Sequence, residues 1–585
     1  MRYTAACLTA STKPAEGNWA ARIADLAADY ADLKLVAVPA LQQSPETDVH
    51  IFATAAQSHG LHIAGAIGTQ AFLISPEGID LLVDAVDEDD FPVVKSAIGD
   101  LAVVVGDDLR IHEVVRGHMF NGAEIILNPI CERPDALSSQ RDLARSARAY
   151  ENLVAVLTAS AGGTSGAWDS RGECLVSGGP EHDAVCAKID LEALRAERMV
   201  APLNFPAQLR TKLYSNEYLQ AAERAQGWAT RNTPTVAPYQ ALIVQAHITT
   251  VPSIEQADEV ITANMDRSLA LAGKFAAGPN IKLVVFPEYW MTGVPFGRSV
   301  DDFWPKVGIR MDGPHFARLQ EFAQQTKTYV GGAMFEYDPD WPRRWFNTAF
   351  IINPSGDVIL KYRKIQCGDI NGMLNNTTPG NVYSDYVQRY GEDGLFPVVD
   401  TDIGRLAACV CYDTNFPELW RALTLRGAEL IVYPTGEPHH VCRTAWEIAK
   451  QAHAAENQIY IASANAGCEA SAPGSPTTYF HRGFSKLVGP DGRIAGVADT
   501  AGEVPLIVNV DIENLRRLRA DADLSLIDKI DFNAAAKIYT THDGFPLNWA
   551  LESPTETAFE GIGHVMKTME RYRETGVYRA PSEAA

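Results

Sequence analysis

The chain has 585 residues, of which 46% are hydrophobic and 21% charged, a composition typical of globular rather than disordered or fibrous proteins. This length exceeds what one hydrophobic core supports and predicts roughly two domains of catalytic size. The formal net charge of −23, from 73 acidic and 50 basic residues, disfavours nucleic acid and anionic membranes as partners.

The cysteine content and the hydropathy of the sequence indicate the cellular compartment. The nine cysteines are an odd number without CxxC pairs, which argues against a disulfide framework and against a zinc site. No apolar run approaches the roughly 18 to 20 residues that cross a bilayer, and the N-terminus lacks the apolar stretch of a secretory signal. We therefore expect a cytoplasmic protein that binds neither membranes nor metal ions.

Predicted strands and helices alternate along both halves of the chain, the pattern of a layered α/β fold. The strands of the first half include YTAACLT, KLVAVPA, HIAGAIG, AFLISPEGI and LAVVVGD. After residue 240 the same order recurs in ALIVQAHI, KLVVFPE, YVGGAMFE, TAFIINPSGD, LAACVCYD and ELIVYP. The recurrence indicates two copies of one domain.

The repeat holds residue by residue. Residues 406–434, shifted back by 305, fall on residues 101–129 without a gap, and 11 of the 29 positions are identical. The same shift carries Glu456 onto Glu151. A match of this length indicates duplication of a whole domain rather than a short solenoid period.

Three residues whose side chains could take part in catalysis follow strands in the second copy: Glu288, Lys364 and Cys411. Each alone is weak evidence, because a free cysteine usually fills space in a core and a charge at a strand end usually faces solvent. Cys411, however, stands between a strand and a helix, where backbone N–H groups and the positive helix end favour the reactive thiolate.

The first copy lacks all three groups. The aligned positions hold Gly106 for the cysteine, Ala40 for the glutamate and Val86 for the lysine. None of these side chains ionises. We therefore interpret the first copy as a pseudo-domain that kept its core and lost its site, and the second as the functional copy.

Three sequence motifs follow strands in this order: FPEYW, KYRK and VCYDTNFPE. Through them the chain resembles the nitrilase superfamily of carbon–nitrogen hydrolases over about residues 240–510. FPEYWMTG, NTAFIINPSGDVILKYRKI and NFPELWRA are most similar to the aliphatic amidase and formamidase branch. The resemblance implies an α/β fold of two tandem four-layer α-β-β-α sandwiches. It also implies a reaction without metal or organic cofactor.

The resemblance also implies roles in amide hydrolysis. Cys411 would attack the carbonyl carbon, while Glu288 takes its proton and later protonates the departing ammonia. Lys364 and the backbone N–H of Tyr412 would hold the oxyanion. Glu288 would then activate the water that releases the carboxylic acid from the thioester, and Tyr289 is expected in the substrate pocket.

One position departs from the amidase pattern. Those amidases carry a second glutamate a few residues after the lysine, whereas IQCGDINGMLNNTTPG offers only Asp369 as an acid. Either Asp369 replaces it, or one of Asn371, Asn375 and Asn376 does, or the substrate is held differently.

The resemblance and the repeat together suggest a domain plan. We expect a pseudo-domain over 1–200, an extension of that domain and a linker over 201–238, a catalytic domain over 239–512, and a helical arm over 513–585 that packs on neighbouring subunits. Related domains pair across a helical face, so the two copies are predicted to form an intramolecular pseudo-dimer, with further homo-oligomers left open.

Three functions remain in competition. The first is an amidase for a small aliphatic carboxamide, the second a nitrilase or acyl transferase that uses the same thioester, and the third a scaffold without catalysis. Four histidines, His439, His440, His453 and His481, have no metal-ligand spacing that we accept and are taken as surface or core residues.

Overall fold

The computed structural model describes residues 1–10, 19–42, 49–84, 91–133, 135–221, 224, 233–295, 297–366, 374–437, 445–481, 483–557 and 559–581. The chain divides into two compact units. Unit 1 consists of Met1–Gln208, Lys529–His542 and Val565–Ala585, and unit 2 of Leu209–Asp528 and Asp543–His564.

The elements of unit 1 follow the predicted alternation. Its strands are β1 (Arg2–Leu8), β2 (Leu33–Leu41), β3 (His62–Ile67), β4 (Gln70–Ser75), β5 (Gly78–Asp84), β6 (Leu101–Val103), β7 (Ile125–Cys131), β8 (Ala155–Ala161), β9 (Ser165–Trp168), β10 (Cys174–Gly178) and β11 (Ala184–Asp190). Its helices before residue 209 are α1 (Trp19–Asp29), α2 (Val49–His59), α3 (His112–Phe120), α4 (Ser138–Asn152), α5 (Leu191–Glu197) and α6 (Phe205–Gln208).

Unit 1 is built from two packed sheets. Their strand orders are β11-β1-β2-β3-β4-β5 and β10-β9-β8-β7-β6. A core that includes Leu35, Leu127 and Leu157 joins both sheets, and these strands are apolar on both faces because both faces are covered. A second core lies under α1 and α2, where Phe52 stacks on Phe72 at 5.1 Å. Helix α4 packs against β8 and completes four layers.

Unit 2 repeats this order of elements. Its strands are β12 (Tyr239–Thr249), β13 (Ile281–Val285), β14 (Tyr329–Glu336), β15 (Phe346–Ile352), β16 (Val358–Arg363), β17 (Val398–Thr401), β18 (Gly404–Ala408), β19 (Leu430–Thr435), β20 (Tyr460–Ala470), β21 (Thr477–Phe480), β22 (Lys486–Val488), β23 (Ile494–Val497) and β24 (Val504–Val510). Its helices up to residue 520 are α7 (Thr211–Leu219), α8 (Ala257–Ala276), α9 (Trp304–Val307), α10 (Pro314–Thr326), α11 (Tyr383–Tyr390), α12 (Pro417–Leu425), α13 (Ala445–Asn457) and α14 (Ile512–Ala520).

The strands of unit 2 run in the order β16-β15-β14-β13-β12-β20-β19-β18-β17. The half with β14 and the half with β19 face each other closely, since a Cβ added to Gly331 would lie 2.8 Å from Cγ1 of Val432. Met265 of α8 and Phe316 of α10 belong to the core that covers β12 to β14, and α13 packs against β20 and β22. The predicted four-layer α/β fold is confirmed.

The C-terminal segment contributes to both units. Helices α15 (Phe532–Thr541) and α16 (Phe559–Glu574) complete the chain. At the end of unit 1, Tyr578 Oη donates a hydrogen bond to Asn204 Oδ1 at 2.9 Å. In unit 2, the backbone N–H of Phe545 donates to Leu209 O at 2.8 Å. Helix α7, which we expected to extend the first domain, belongs to unit 2.

Candidate active site

The three candidate residues lie just beyond strand ends of unit 2. Glu288 follows β13, Lys364 directly follows β16, and Cys411 begins a 3₁₀ turn after β18. Lys364 Nζ donates a hydrogen bond to Glu288 Oε1 at 2.9 Å. The three residues are 2%, 5% and 9% exposed, respectively, and the charges of Glu288 and Lys364 both act on the Cys411 thiol. The fold therefore gathers residues that are 123 positions apart in the sequence (411 − 288).

Asn347 is a partner of Glu288 that sequence reasoning missed. Its Nδ2 donates to Glu288 Oε1 at 2.6 Å from the buried strand β15. The carboxylate thus receives an amide and an ammonium on one oxygen, which fixes its orientation. The sequence feature that could have revealed Asn347 is its position as a polar residue inside the apolar run FNTAFII.

The Cys411 thiol is not poised as a thiolate in this structure. Burial and the neighbouring Glu288 raise its pKa to about 12, although Lys364, the Gly436 N–H and the Thr435 side chain act in the lowering direction. This result corrects the expectation from the strand-to-helix position. The expectation failed because desolvation of the charged form outweighs the nearby positive groups.

The backbone at Cys411 is held in the left-handed region, with φ of 47°. Such a conformation is unfavourable for a residue with a Cβ and persists where the surroundings impose it. Tyr433 Oη donates to the Cys411 carbonyl at 2.5 Å. The backbone N–H of Val410 donates to Asp413 Oδ2 at 2.8 Å. The turn that carries the thiol is therefore fixed on both sides.

Asp413 connects this turn to the strand that leads to Lys364. Its Oδ2 also accepts from Tyr362 Oη at 2.8 Å, and its Oδ1 accepts from the Gln366 N–H at 3.0 Å. Burial raises the pKa of Asp413 to about 6, while Lys364 acts in the lowering direction. One buried carboxyl group thus holds together two of the three loops that present the candidate residues.

Tyr289 lies beside the cysteine, although its predicted contact with substrate remains a prediction. Its Oη donates to Gly436 O at 3.1 Å, and the N–H of Gly436 hydrogen-bonds the Cys411 sulfur. Position 436 requires glycine, since an added Cβ would lie 1.7 Å from Tyr289 Oη.

The other predicted substrate contacts are only partly described. Tyr412 follows the cysteine directly, and its buried ring is 6.0 Å from that of Trp446. Asp369 and Asn371 lie outside the described residues. Asn375 holds structural contacts: its Oδ1 accepts from an indole N–H and its Nδ2 donates to two backbone carbonyls. Asn376 is buried.

Two of the four histidines are described, and both lie in the interior. His453 is buried and its Nε2 lies 2.8 Å from Thr414 O. His481 is buried and its Nε2 lies 2.9 Å from Glu469 Oε2. The pair at 439–440 lies outside the described residues. Within the part of the chain that the structure describes, no cluster of three His, Cys, Asp or Glu side chains is arranged to hold a metal ion.

The corresponding turn of unit 1 has the same backbone conformation as the turn at Cys411 but lacks the thiol. Gly106 has φ of 62°, close to that of Cys411, and an added Cβ would meet no atom within 4 Å. Asn128 Nδ2 donates to Gly106 O at 3.0 Å, as Tyr433 does to Cys411 O. A small cavity remains here, beside the ion pair of Arg141 and Asp107. Val86 lies outside the described residues.

Comparison with known proteins identifies the class. The model of the carbon-nitrogen hydrolase family matches residues 49–199 and 235–520. The chain therefore belongs to the carbon–nitrogen hydrolase family, and it is a hydrolase acting on carbon–nitrogen bonds. The two matched segments agree with the tandem copies that the repeat indicated, so the predicted membership of the nitrilase superfamily is confirmed.

The relatives include omega-amidases and a member of the nitrilase superfamily. The chain is 27% identical to omega-amidase NIT2 of Xenopus tropicalis over 267 residues, which cover 44% of this chain and 87% of that protein. It is 29% identical to the chloroplastic omega-amidase of Arabidopsis thaliana over 279 residues, which cover 45% of this chain and 69% of that protein. Among solved structures, Saccharomyces cerevisiae Nit3 is similar with 23% identity and a TM-score of 0.39, covering 49% of this chain and 95% of Nit3. Among the described helices of this chain, none has the length and hydropathy to cross a membrane.

Proposed function

We propose that unit 2 hydrolyses a small aliphatic carboxamide to the carboxylic acid and ammonia through a thioester on Cys411. The observation that carries the proposal is the buried Lys364–Glu288 contact of 2.9 Å, whose two charges both act on the thiol. A carboxylate, an ammonium and a thiol at one site supply a base, a positive charge for an oxyanion and a nucleophile.

The raised thiol pKa determines the order of events. Because the Cys411 thiol is protonated at neutral pH, attack on the carbonyl carbon requires Glu288 to remove the proton as the carbon–sulfur bond forms. The carbonyl oxygen then becomes negative, and the Lys364 ammonium and the Tyr412 N–H stabilise it. Glu288 returns the proton to the amide nitrogen, the carbon–nitrogen bond breaks, and ammonia leaves.

The second half of the reaction uses the same groups. Glu288 removes a proton from a water molecule, and the resulting hydroxide attacks the thioester carbon. The carbon–sulfur bond then breaks, the carboxylic acid leaves, and the Cys411 sulfur recovers a proton. Asn347 and Lys364 keep the carboxylate of Glu288 in place during both proton transfers.

Ammonia release from a panel of amides tests the proposal. The panel contains short aliphatic amides, amides at the end of longer carbon chains, aromatic amides and the matching nitriles. We expect release from aliphatic amides by the wild type and its loss in Cys411→Ala. The exposed cysteine in Cys131→Ala is the matched control. Release that survives Cys411→Ala would refute the proposal.

A trapping experiment separates hydrolysis from the competing functions. When the wild type is quenched with acid during turnover of an amide, an acyl group on the Cys411 peptide should appear by mass spectrometry. Hydroxamate formed faster than acid when hydroxylamine is added would favour the acyl transferase. Activity on nitriles alone would favour the nitrilase, and no turnover of any compound would favour the scaffold.

The assembly and location belong to the same proposal. We propose that unit 1 is a pseudo-domain that lost its site and serves as the intramolecular partner of unit 2, in a cytoplasmic protein. Light scattering of the purified full chain measures whether it is a monomer or a larger homo-oligomer. Gly106→Cys should remain without amidase activity in the Cys411→Ala background, because Ala40 supplies no base.

A further inference from the structure

A buried network of four charged side chains lies beside the cysteine. Lys450 Nζ donates to Glu437 Oε1 at 2.8 Å, to Glu437 Oε2 at 3.0 Å and to Glu447 Oε1 at 3.1 Å. Lys486 Nζ contacts the other oxygen of Glu447. All four residues are buried, and their two negative and two positive charges balance. Burying four charges is weakly stabilising at best, so stability alone is a poor reason for this network.

Thr435 connects the network to the cysteine. Its Oγ1 donates to Glu437 Oε1 at 3.1 Å, and its side chain also hydrogen-bonds the Cys411 sulfur. A hydroxyl group carries a single hydrogen. The Tyr433 side chain is a further hydrogen-bond partner of Thr435. Thr435 therefore donates to only one of the Glu437 carboxylate, the Cys411 sulfur and the Tyr433 oxygen at a time.

We propose that Glu437 and Lys450 are positioning residues for the reaction at Cys411 and act through the hydroxyl group of Thr435. Lys450 balances the charge of Glu437, so the Thr435 hydrogen is free to turn towards the sulfur when Glu288 removes the thiol proton. The network thereby stabilises the thiolate without touching substrate. The inference rests on the proposed function, in which Cys411 is the nucleophile.

Unit 1 retains the ion pair but not the connection. The shift of 305 carries Glu437 onto Glu132 and Lys450 onto Arg145, and Arg145 contacts the Glu132 carboxylate. At the place of Thr435, however, unit 1 has Ile130, which cannot donate a hydrogen bond. The pair by itself is thus part of the scaffold in both units, and the hydroxyl group is present only where the cysteine is.

Several other groups act on the same two centres and have to stay intact in the test. Those that act on the Cys411 sulfur are the carboxylate of Glu288, the ammonium of Lys364, the hydroxyl of Thr435 and the N–H of Gly436. Those that surround Glu437 are Thr435, Lys450, Tyr433 and, through Lys450, Glu447 and Lys486.

The test measures the rate at which iodoacetamide alkylates Cys411 in the full chain between pH 6 and pH 10, followed on the Cys411 peptide by mass spectrometry. In Lys450→Met, the unbalanced Glu437 carboxylate should retain the Thr435 hydrogen and slow alkylation about tenfold at pH 8. In Glu437→Gln, loss of a negative charge should speed it. Lys450→Arg should restore the wild-type rate, because arginine occupies this position in unit 1.

A double-variant cycle and a control from unit 1 make the test specific. In the Thr435→Val background, Lys450→Met should change the rate much less than in the wild type, since the connection is gone. Arg145→Met breaks the same ion pair in unit 1 and should leave alkylation of Cys411 unchanged. A merely structural role predicts the same direction for Lys450→Met and Glu437→Gln, because loosening exposes the thiol in both, and that result would overturn the proposal.

The two proposals fail in different ways. If the wild type and Cys411→Ala release ammonia equally, the proposed function fails whatever the alkylation rates are. If ammonia release requires Cys411 but the alkylation rates of Lys450→Met and Arg145→Met equal that of the wild type, the positioning role fails and the amidase remains.

Discussion

Residues 101–152 of unit 1 and residues 406–457 of unit 2 have the same scaffold around different sites. Arg116 Nη1 donates to the carbonyl of residue 151 at 2.9 Å, and Arg421 Nη1 donates to the carbonyl of residue 456 at 3.0 Å. The turn glycines, Gly122 and Gly427, have φ of 101° and 97°. A contact between two neighbouring helices, and the glycine turn that follows the first of them, were thus kept in both copies.

The positions around the cysteine changed together. Gly106 replaces Cys411, and the ion pair of Arg141 and Asp107 stands where Trp446 and Tyr412 stand in unit 2. A buried arginine that loses its partner is strongly destabilising, whereas a lost nucleophile costs no stability. The comparison teaches that the contacts between the helices are kept in both copies of the fold, whereas the reactive groups are kept in only one.

The largest expected effect comes from removing the nucleophile, which only unit 2 has. Cys411→Ala should lower kcat for amide hydrolysis at least about 10³-fold, because no other side chain forms the thioester. Gly106→Ala, the matched change in unit 1, should leave kcat unchanged. Ammonia release at saturating amide measures both, and an equal loss in the two variants would contradict the assignment of the site to unit 2.

The scaffold contacts should respond alike in both units. Glu429 accepts from Arg516 Nε at 2.7 Å, and Glu124 accepts from Arg195 Nε at 2.7 Å. Glu429→Gln and Glu124→Gln should each lower the free energy of unfolding by about 3 kcal/mol, because a mostly buried arginine loses the carboxylate that binds it through two nitrogens and keeps only Glu513 or Glu192. Urea unfolding followed by circular dichroism measures the effect. A large loss in one unit alone would show that the two scaffolds are not equivalent.

A contact present only around the active cysteine should affect catalysis more than stability. Asn347→Ala removes the amide that holds Glu288 at 2.6 Å, and we expect kcat to fall about 100-fold. Asn347→Asp should not restore activity, since a second carboxylate repels Glu288. Steady-state kinetics together with thermal melting check the prediction, which is wrong if the melting temperature falls while kcat is retained.

The smallest effect concerns two matching aspartates. Burial raises the pKa of Asp413 and of Asp108 to about 6, above an ordinary value of 3.8. A raised pKa adds stability below about pH 4, and this stability is lost as the pH rises through 6, because only the folded state keeps the proton in between. Relative to Asp413→Asn, the wild type should therefore lose about 2 kcal/mol between pH 4 and pH 7.

Unfolding by urea at both pH values measures this difference. Asp108→Asn should show the same direction with a smaller size, because Asp108 is less buried than Asp413. A wild type that gains stability relative to Asp413→Asn on going from pH 4 to pH 7 would contradict the raised pKa.

The sequence by itself determined the class of fold and the order of its elements. Apolar runs separated by amphipathic helices have few packed arrangements, and an ungapped match over 29 positions indicates a duplicated domain. The sequence also singled out Glu288, Lys364 and Cys411, because each follows a strand within a recognisable motif.

Only the tertiary structure decided how these residues act on one another. The contact of Asn347 with Glu288 and the connections that Asp413 makes join segments far apart in the chain, so no local pattern reveals them. The protonation of Cys411 was expected wrongly for the same reason. Local position predicted a thiolate, but burial by the surrounding strands, which is a property of the whole fold, raises the thiol pKa.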